Sequence, residues 1–186
     1  MVGSWTINVN TSGMPQKIAT AVGELGEKLI GAEYSPIAYL GSQIVNGTNH
    51  AVLAEQLLLT GKDTKNIVLL IFNEKDGVVT LSNIERVIEA GGPFGGTAID
   101  VKANIPEDAQ SVFDQAMAGF VGSNVEPFAL LGTKVVKGID YLFAATVTPV
   151  TPEAITKVAI VKVNLLEKSI KFMDILNAPL GYAFTW

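Results

Sequence analysis

The sequence of 186 residues contains no cysteine and a single histidine, His50. Without cysteine the chain forms no disulfide, offers no thiolate nucleophile and holds no cysteine-ligated metal. One histidine excludes a two-histidine zinc site, and a serine triad would have to use that one ring. We therefore predict no metal, no cofactor and no catalytic residue, and expect a protein that is not an enzyme. The lack of cysteine leaves the compartment open, because such a chain suits reducing and oxidising surroundings alike.

Positive charge is also scarce. The chain has 13 lysines and arginines against 18 acidic residues, a net charge of -5, and no run of basic residues. This balance argues against nucleic acid and against an anionic membrane surface as partners, because both require a cationic patch. The longest strongly apolar run, Ile67 to Phe72, has the length of a strand, so we predict no transmembrane helix. Apolar residues make up 48% of the chain, enough for a packed core.

The sequence repeats itself after 91 positions. This shift places Pro36–Gly47 on Pro127–Gly138, with identical residues at six of the aligned positions. A repeat of this length predicts two homologous units. We assign residues 1–91 to the first unit and 92–186 to the second, joined by the glycine-rich segment Gly91 to Gly96.

Within each unit the hydrophobic spacing predicts one helix followed by a meander of strands. Apolar residues spaced three and four apart indicate one face of a helix in each unit: Ile18, Val22, Leu25 and Leu29, then Ala109, Phe113, Ala116 and Phe120. After the first helix, Asn46-Gly47 separates two extended runs and predicts a type I′ hairpin turn. Polar turns are expected at 60–66 and 73–77, each followed by a further strand. We predict an α+β fold in which one helix packs on a four- to five-stranded antiparallel sheet in each unit.

The first hairpin carries Gln43-Ile44-Val45-Asn46-Gly47. A helix followed by an antiparallel meander with Gln-x-Val-x-Gly at its first turn resembles the cystatins, which inhibit cysteine proteases. The resemblance covers the first unit, and the repeat extends it to the second, so it implies two tandem cystatin-like repeats. It also implies a protein partner, a papain-like protease whose active-site groove receives the N-terminal segment and the hairpin tips. The implied contact residues are Gln43, Ile44, Val45, Asn46 and Gly47, and the equivalent tip in the second unit is Lys134, Val135, Val136, Lys137 and Gly138.

Two alternatives follow from departures from that pattern. The second hairpin tip of cystatins carries Pro-Trp, whereas Asn73 to Gly77 is polar and contains neither residue. This difference favours a non-inhibitory interaction or structural protein that uses the two domains as a scaffold. An enzyme with a conical pocket would need an inward-facing acid or base, and neither unit has an aspartate–histidine pair at plausible strand positions. Alignment of His50 with Tyr141 predicts packing or a cross-strand pair for the histidine. A homodimer formed through strand edges or exchanged strands stays open.

Overall fold

The computed structural model describes residues 3–11, 13–91 and 96–176. The chain divides into two compact units between Ala90 and Gly91. Most of the glycine-rich linker predicted at Gly91 to Gly96 lies outside the described residues.

Unit 1 is a five-stranded antiparallel sheet with one helix packed on it. Its elements are β1 (Trp5–Asn10), α1 (Gln16–Lys28), β2 (Ala32–Val45), β3 (Gly47–Leu59), β4 (Asp63–Lys75) and β5 (Val78–Glu89). The strands pair in the order β1-β2-β3-β4-β5. The helix buries Ile18, Val22 and Leu25 in a core that includes Val52 and Phe72, and this face is the one that the spacing of apolar residues predicts.

Unit 2 has the same order of elements. They are β6 (Ala98–Lys102), α2 (Glu107–Met117), β7 (Ser123–Val136), β8 (Gly138–Pro149), β9 (Lys157–Asn164) and β10 (Ile170–Asp174). The strands pair in the order β10-β9-β8-β7-β6. Phe113 of α2 packs edge-on against Phe143 of β8, with 5.0 Å between the ring centroids. The antiparallel pairing predicted from the sequence is confirmed in both units, and each helix is followed by a meander as predicted.

The prediction that Phe120 continues the apolar face of the second helix is wrong. Helix α2 ends at Met117, and Gly119 adopts a positive φ of 83°, which turns the chain away from the helix axis. The Phe120 side chain is 41% exposed and lies beside the Phe172 ring. The repeat of 91 positions therefore predicts the first turns of α2 correctly but not the residue at which α2 ends.

The predicted fold class, an α+β arrangement of two tandem cystatin-like repeats, is wrong. Strands hold 58% of the structure and helices only 14%, so the described residues form a mostly β molecule of two five-stranded sheets with two short helices. The reason is that the strands extend through segments expected to be turns. Asp63 to Asn66, predicted as part of a polar turn, pairs residue by residue with Leu59 to Gln56. The long partner strand β3 supplies backbone hydrogen bonds to these polar residues, and this outweighs their turn propensity.

A glycine allows the first strand of each unit to approach the sheet closely. The register of β2 breaks between Tyr39 and Gly41, and a β-carbon on Gly41 would overlap the carbonyl oxygen of Thr6 on β1. Gly132, which is 91 positions later, faces the carbonyl oxygen of Ala98 in the same way. In both units, therefore, the edge strand lies this close to the second strand only because glycine has no side chain.

Candidate functional site

Three segments of unit 1 meet at one end of its sheet. The amide of Gly3 donates to the carbonyl of Ile44 at 3.0 Å, which joins the N-terminal segment to the β2–β3 hairpin. Thr48 pairs with Glu74, which places the β4–β5 turn beside the same hairpin. We call this surface, made of Gly3 to Trp5, Gln43 to Thr48 and Asn73 to Val78, the hairpin end of unit 1. The order of the strands brings these three segments together, because successive turns of a meander lie alternately at the two ends of the sheet.

The β2–β3 tip has a tighter form than the predicted type I′ turn. Val45 pairs with Gly47, which leaves Asn46 alone at the apex. Gly47 adopts a φ of 99°, and a β-carbon there would lie 2.6 Å from the carbonyl oxygen of Glu74. A two-residue turn does occur in the β4–β5 hairpin, where Asp76 and Gly77 both have positive φ. Glycine at position 47 is therefore required by its conformation and by the neighbouring strand.

A ladder of side-chain amides connects three strands and the N-terminal segment below this tip. Asn73 of β4 donates to Asn49 of β3 at 3.0 Å, Asn49 donates to Gln43 of β2 at 3.0 Å, and Gln43 donates to the carbonyl oxygen of Gly3 at 2.8 Å. Every donor points toward the N-terminal segment. The side chains are partly buried, so these bonds hold the segments of the hairpin end in fixed relative positions.

A second polar group lies on the helix side of the same end. The hydroxyl of Tyr39 is 3.1 Å from Nδ1 of His50, and Oε2 of Glu74 is 3.5 Å from Nε2. Lys17 of α1 approaches the other oxygen of Glu74 at 2.7 Å. The imidazole also packs against the rings of Tyr39 and Phe72, with centroid distances of 6.0 and 5.3 Å. These contacts confirm that His50 serves packing and cross-strand pairing.

Burial determines the protonation state of His50. It lowers the pKa of His50 below the ordinary value, because desolvation penalises the imidazolium, and the Glu74 carboxylate offsets only part of that effect. A hydrogen bond from Lys17 lowers the pKa of Glu74, and burial raises the pKa of Tyr39. His50 is therefore neutral near pH 7, and a proton on Nε2, beside the Glu74 carboxylate, leaves Nδ1 to accept from the Tyr39 hydroxyl.

This protonation pattern predicts a loss of stability in mild acid. A histidine in the unfolded chain binds a proton near the ordinary pKa of 6.5, whereas folded His50 has a lower pKa. The free energy of unfolding should fall as the pH drops through 6.5, since the unfolded chain takes up more protons than the folded one there. The fall should end below the folded pKa, where both states are charged. Urea unfolding of the wild type and of His50→Phe at several pH values measures it; equal pH dependence of the two proteins would contradict the assignment to His50.

A cleft of about 310 Å³ adjoins this group, between α1 and the β4–β5 turn. Lys17, Glu24 and Glu74 lie on its walls, together with the apolar side chain of Val79. His50 is not among its lining residues, and both of its ring nitrogens face side chains of the protein. The arrangement orders the end of the sheet and does not present the imidazole to a ligand in this cleft.

The equivalent end of unit 2 combines aliphatic and basic side chains. Val135 is 75% exposed at the β7–β8 tip, and Leu166 is 62% exposed at the turn between β9 and β10. Asn164, the counterpart of Asn73, donates to Asp140 at 2.7 Å, and its Oδ1 accepts from the backbone amides of Leu166 and Glu167 at 3.0 and 2.8 Å. A buried amide therefore fixes this end as well.

The residues predicted to contact a partner are placed at these two tips. Ile44 is 67% exposed and Asn46 is exposed, whereas Val45 and Gly47 are half-buried. Gln43 is half-buried and belongs to the amide ladder. In unit 2, Val136 and Lys137 join Val135 as exposed residues, and Lys134 and Gly138 are half-buried.

Sequence reasoning missed Glu74 as the acidic neighbour of His50. It considered only aspartate partners and treated Asn73 to Gly77 as a loop. The meander register pairs Thr48 with Glu74 and His50 with Phe72, so counting outward from the hairpin at Gly47 could have found the carboxylate. Among residues 3–11, 13–91 and 96–176, no cluster of histidine and acidic side chains could hold a metal ion.

No protein-family model matches the chain, and no curated protein matches it in sequence. Within the described part of the chain, neither helix has the length and apolarity needed to cross a membrane.

Proposed function

We propose that the protein is a binding protein that inserts the hairpin end of unit 1 into the active-site groove of a papain-like cysteine protease and so inhibits it. The supporting observation is that the N-terminal segment, the β2–β3 tip and the β4–β5 turn lie side by side at one end of one sheet. A surface made of these three segments would block a groove by occupying it, which needs no reactive side chain.

The chemistry of this surface suits burial in a groove. Ile44 and Val78 are 67% and 64% exposed, so each has apolar surface to lose on binding. The amide ladder fixes the neighbouring backbone before any partner arrives. A surface that is ordered in advance loses less conformational entropy on association, which favours affinity.

The inhibition test uses matched substitutions at the two tips. Ile44→Asp places a charge at the tip of unit 1, and Val135→Asp makes the same change 91 positions later in unit 2. We expect micromolar wild-type protein to inhibit papain, and Ile44→Asp to weaken inhibition about tenfold or more, since it loses apolar burial and adds a desolvation cost. Val135→Asp should inhibit like the wild type. Absence of inhibition by the wild type, or equal loss in both variants, contradicts the proposal.

A second candidate function is protein binding without inhibition, and the β4–β5 turn favours it. Lys75 and Asp76 are exposed at this turn, and burying their charges in a protease groove would cost desolvation free energy. Titration calorimetry with papain distinguishes the two functions when it is run beside the activity assay. Binding that leaves turnover unchanged supports the second candidate, and binding that abolishes turnover supports the first.

A further inference from the structure

The hairpin end of unit 2 exposes a patch of aliphatic side chains. Its members are Val135, Val136, Ile139, Leu165 and Leu166, with exposed fractions of 75, 41, 36, 46 and 62%. The two turns that carry them are in contact. The amide of Leu165 donates to the carbonyl of Ile139 at 3.0 Å, and a β-carbon on Gly138 would lie 2.8 Å from that of Leu166. A contiguous exposed apolar patch of this kind marks an interaction surface.

Basic residues surround this aliphatic patch. Of the seven lysines in residues 91–186, five lie at or next to this end of the sheet, at positions 134, 137, 162, 168 and 171. The acidic residues there are Asp140 and Glu167. The whole chain is acidic, with a net charge of -5, so this local excess of positive charge opposes the overall balance.

A cleft lies between the two turns, with basic walls. It has a volume of about 330 Å³, and Lys137, Lys162 and Lys171 line it together with Ser169. Two acidic residues, Asp140 and Glu167, also line it. The buried carboxylate of Asp140 already accepts from Asn164 at 2.7 Å and pairs with Lys162 at 3.3 Å, which neutralises much of its charge within the protein. Lys137, Lys171 and the Ser169 hydroxyl thus offer donors to an anionic group such as a phosphate diester.

We propose that the hairpin end of unit 2 binds the surface of an anionic phospholipid bilayer. The aliphatic side chains of Val135 and Leu166 enter the boundary between headgroups and acyl chains, and the lysines contact the headgroup phosphates. A bilayer suits a projecting aliphatic tip because it deforms around the tip and requires no complementary pocket. The charge pattern selects anionic lipids over zwitterionic ones.

The fold explains why the sequence argued against a membrane surface. The sequence has no basic run, because the five lysines come from β7, the β7–β8 turn, β9, the β9–β10 turn and β10. Only strand pairing brings them to one end. Electrostatic attraction to a surface depends on how close the charges lie in space, within a Debye length, and not on their separation along the chain.

Vesicle sedimentation tests the proposal with the full chain. We expect the wild type to bind vesicles that contain phosphatidylserine, to bind vesicles of phosphatidylcholine alone much more weakly, and to be released by high salt. Val135→Asp and Leu166→Asp should each weaken binding about tenfold or more, because each removes an inserted apolar side chain. Lys137→Gln combined with Lys168→Gln should weaken binding to the anionic vesicles.

Controls separate this proposal from the protease proposal and from misfolding. Ile44→Asp, at the matching position of unit 1, should bind vesicles like the wild type, and circular dichroism should show that all variants fold. Three outcomes overturn the proposal: no sedimentation of the wild type, equal sedimentation of the wild type and Val135→Asp, or binding to soluble polyglutamate that matches binding to the anionic vesicles. The last would assign the surface to an acidic protein partner. None of these outcomes depends on protease inhibition, which uses unit 1.

Discussion

Replacing Phe143 with alanine is expected to lower the free energy of unfolding by about 4 kcal/mol. The Phe143 side chain is fully buried at the centre of the unit 2 core, where it meets Phe113 edge-on and Tyr141 in a stacked arrangement. Truncation removes the transfer free energy of the ring and leaves a cavity, because strand β8 is held on both sides by β7 and β9 and cannot collapse inward.

Phe120→Ala is the matched control for this substitution. Its side chain is 41% exposed, so the same truncation should cost about 1 kcal/mol, chiefly through its contact with Phe172. Urea unfolding followed by circular dichroism measures both variants. A cost below that of Phe120→Ala would show that Phe143 is not central to the core.

Gly41→Ala is expected to destabilise the protein by about 3 kcal/mol. The added β-carbon would overlap the carbonyl oxygen of Thr6, and the φ of 153° at Gly41 is one that other residues rarely adopt. Relief requires β1 to move off β2. That movement would strain the hydrogen bond from Gln43 to Gly3, so the hairpin end should lose order together with stability.

The same substitution at Gly23 should have the opposite sign. Gly23 lies inside α1, and a β-carbon there meets no atom within 4 Å. Alanine in a helix interior is more stable than glycine by about 1 kcal/mol, so Gly23→Ala should raise the free energy of unfolding. Thermal unfolding of the two variants side by side compares them, and a Gly41→Ala protein as stable as the wild type would disprove the close approach of β1.

Local patterns in the sequence were sufficient for much of the fold. The spacing of Ile18, Val22 and Leu25 identifies the buried helix face, and glycine at position 47 ends the β2–β3 tip. These features depend on residues a few positions apart. The repeat after 91 positions also aligns Gly41 with Gly132, and the structure gives both glycines the same close approach to the edge strand.

Features that depend on distant pairing could not be predicted in the same way. Asn66 looks like a turn residue, yet it is buried, donates to Gln56 and accepts from the amide of Ala90. Those partners compensate for its burial, and they come from β3 and from the residue that follows β5. Because the strands continue through such residues, many more residues lie in strands than in helices. The fold is therefore mostly β, and the predicted α+β class is wrong.

The candidate site shows the same division. Sequence reasoning placed Gln43 to Gly47 at a hairpin tip and assigned Gln43 to contact with a protease. The structure shows that its amide bonds Asn49 and Gly3. Such a role requires the registers of β1, β2 and β3 together, and a single sequence specifies these only weakly.

The amide ladder also limits how far the hairpin end could be transplanted. A synthetic hairpin of residues 43–49 would keep the bond between Asn49 and Gln43 and would lose those to Asn73 and Gly3, which lie 24 and 40 positions from their partners. Two of the three bonds therefore belong to the assembled sheet. The hairpin end is therefore not portable as a peptide, and a graft that preserved it would have to carry the N-terminal segment and β1 to β4 as one piece.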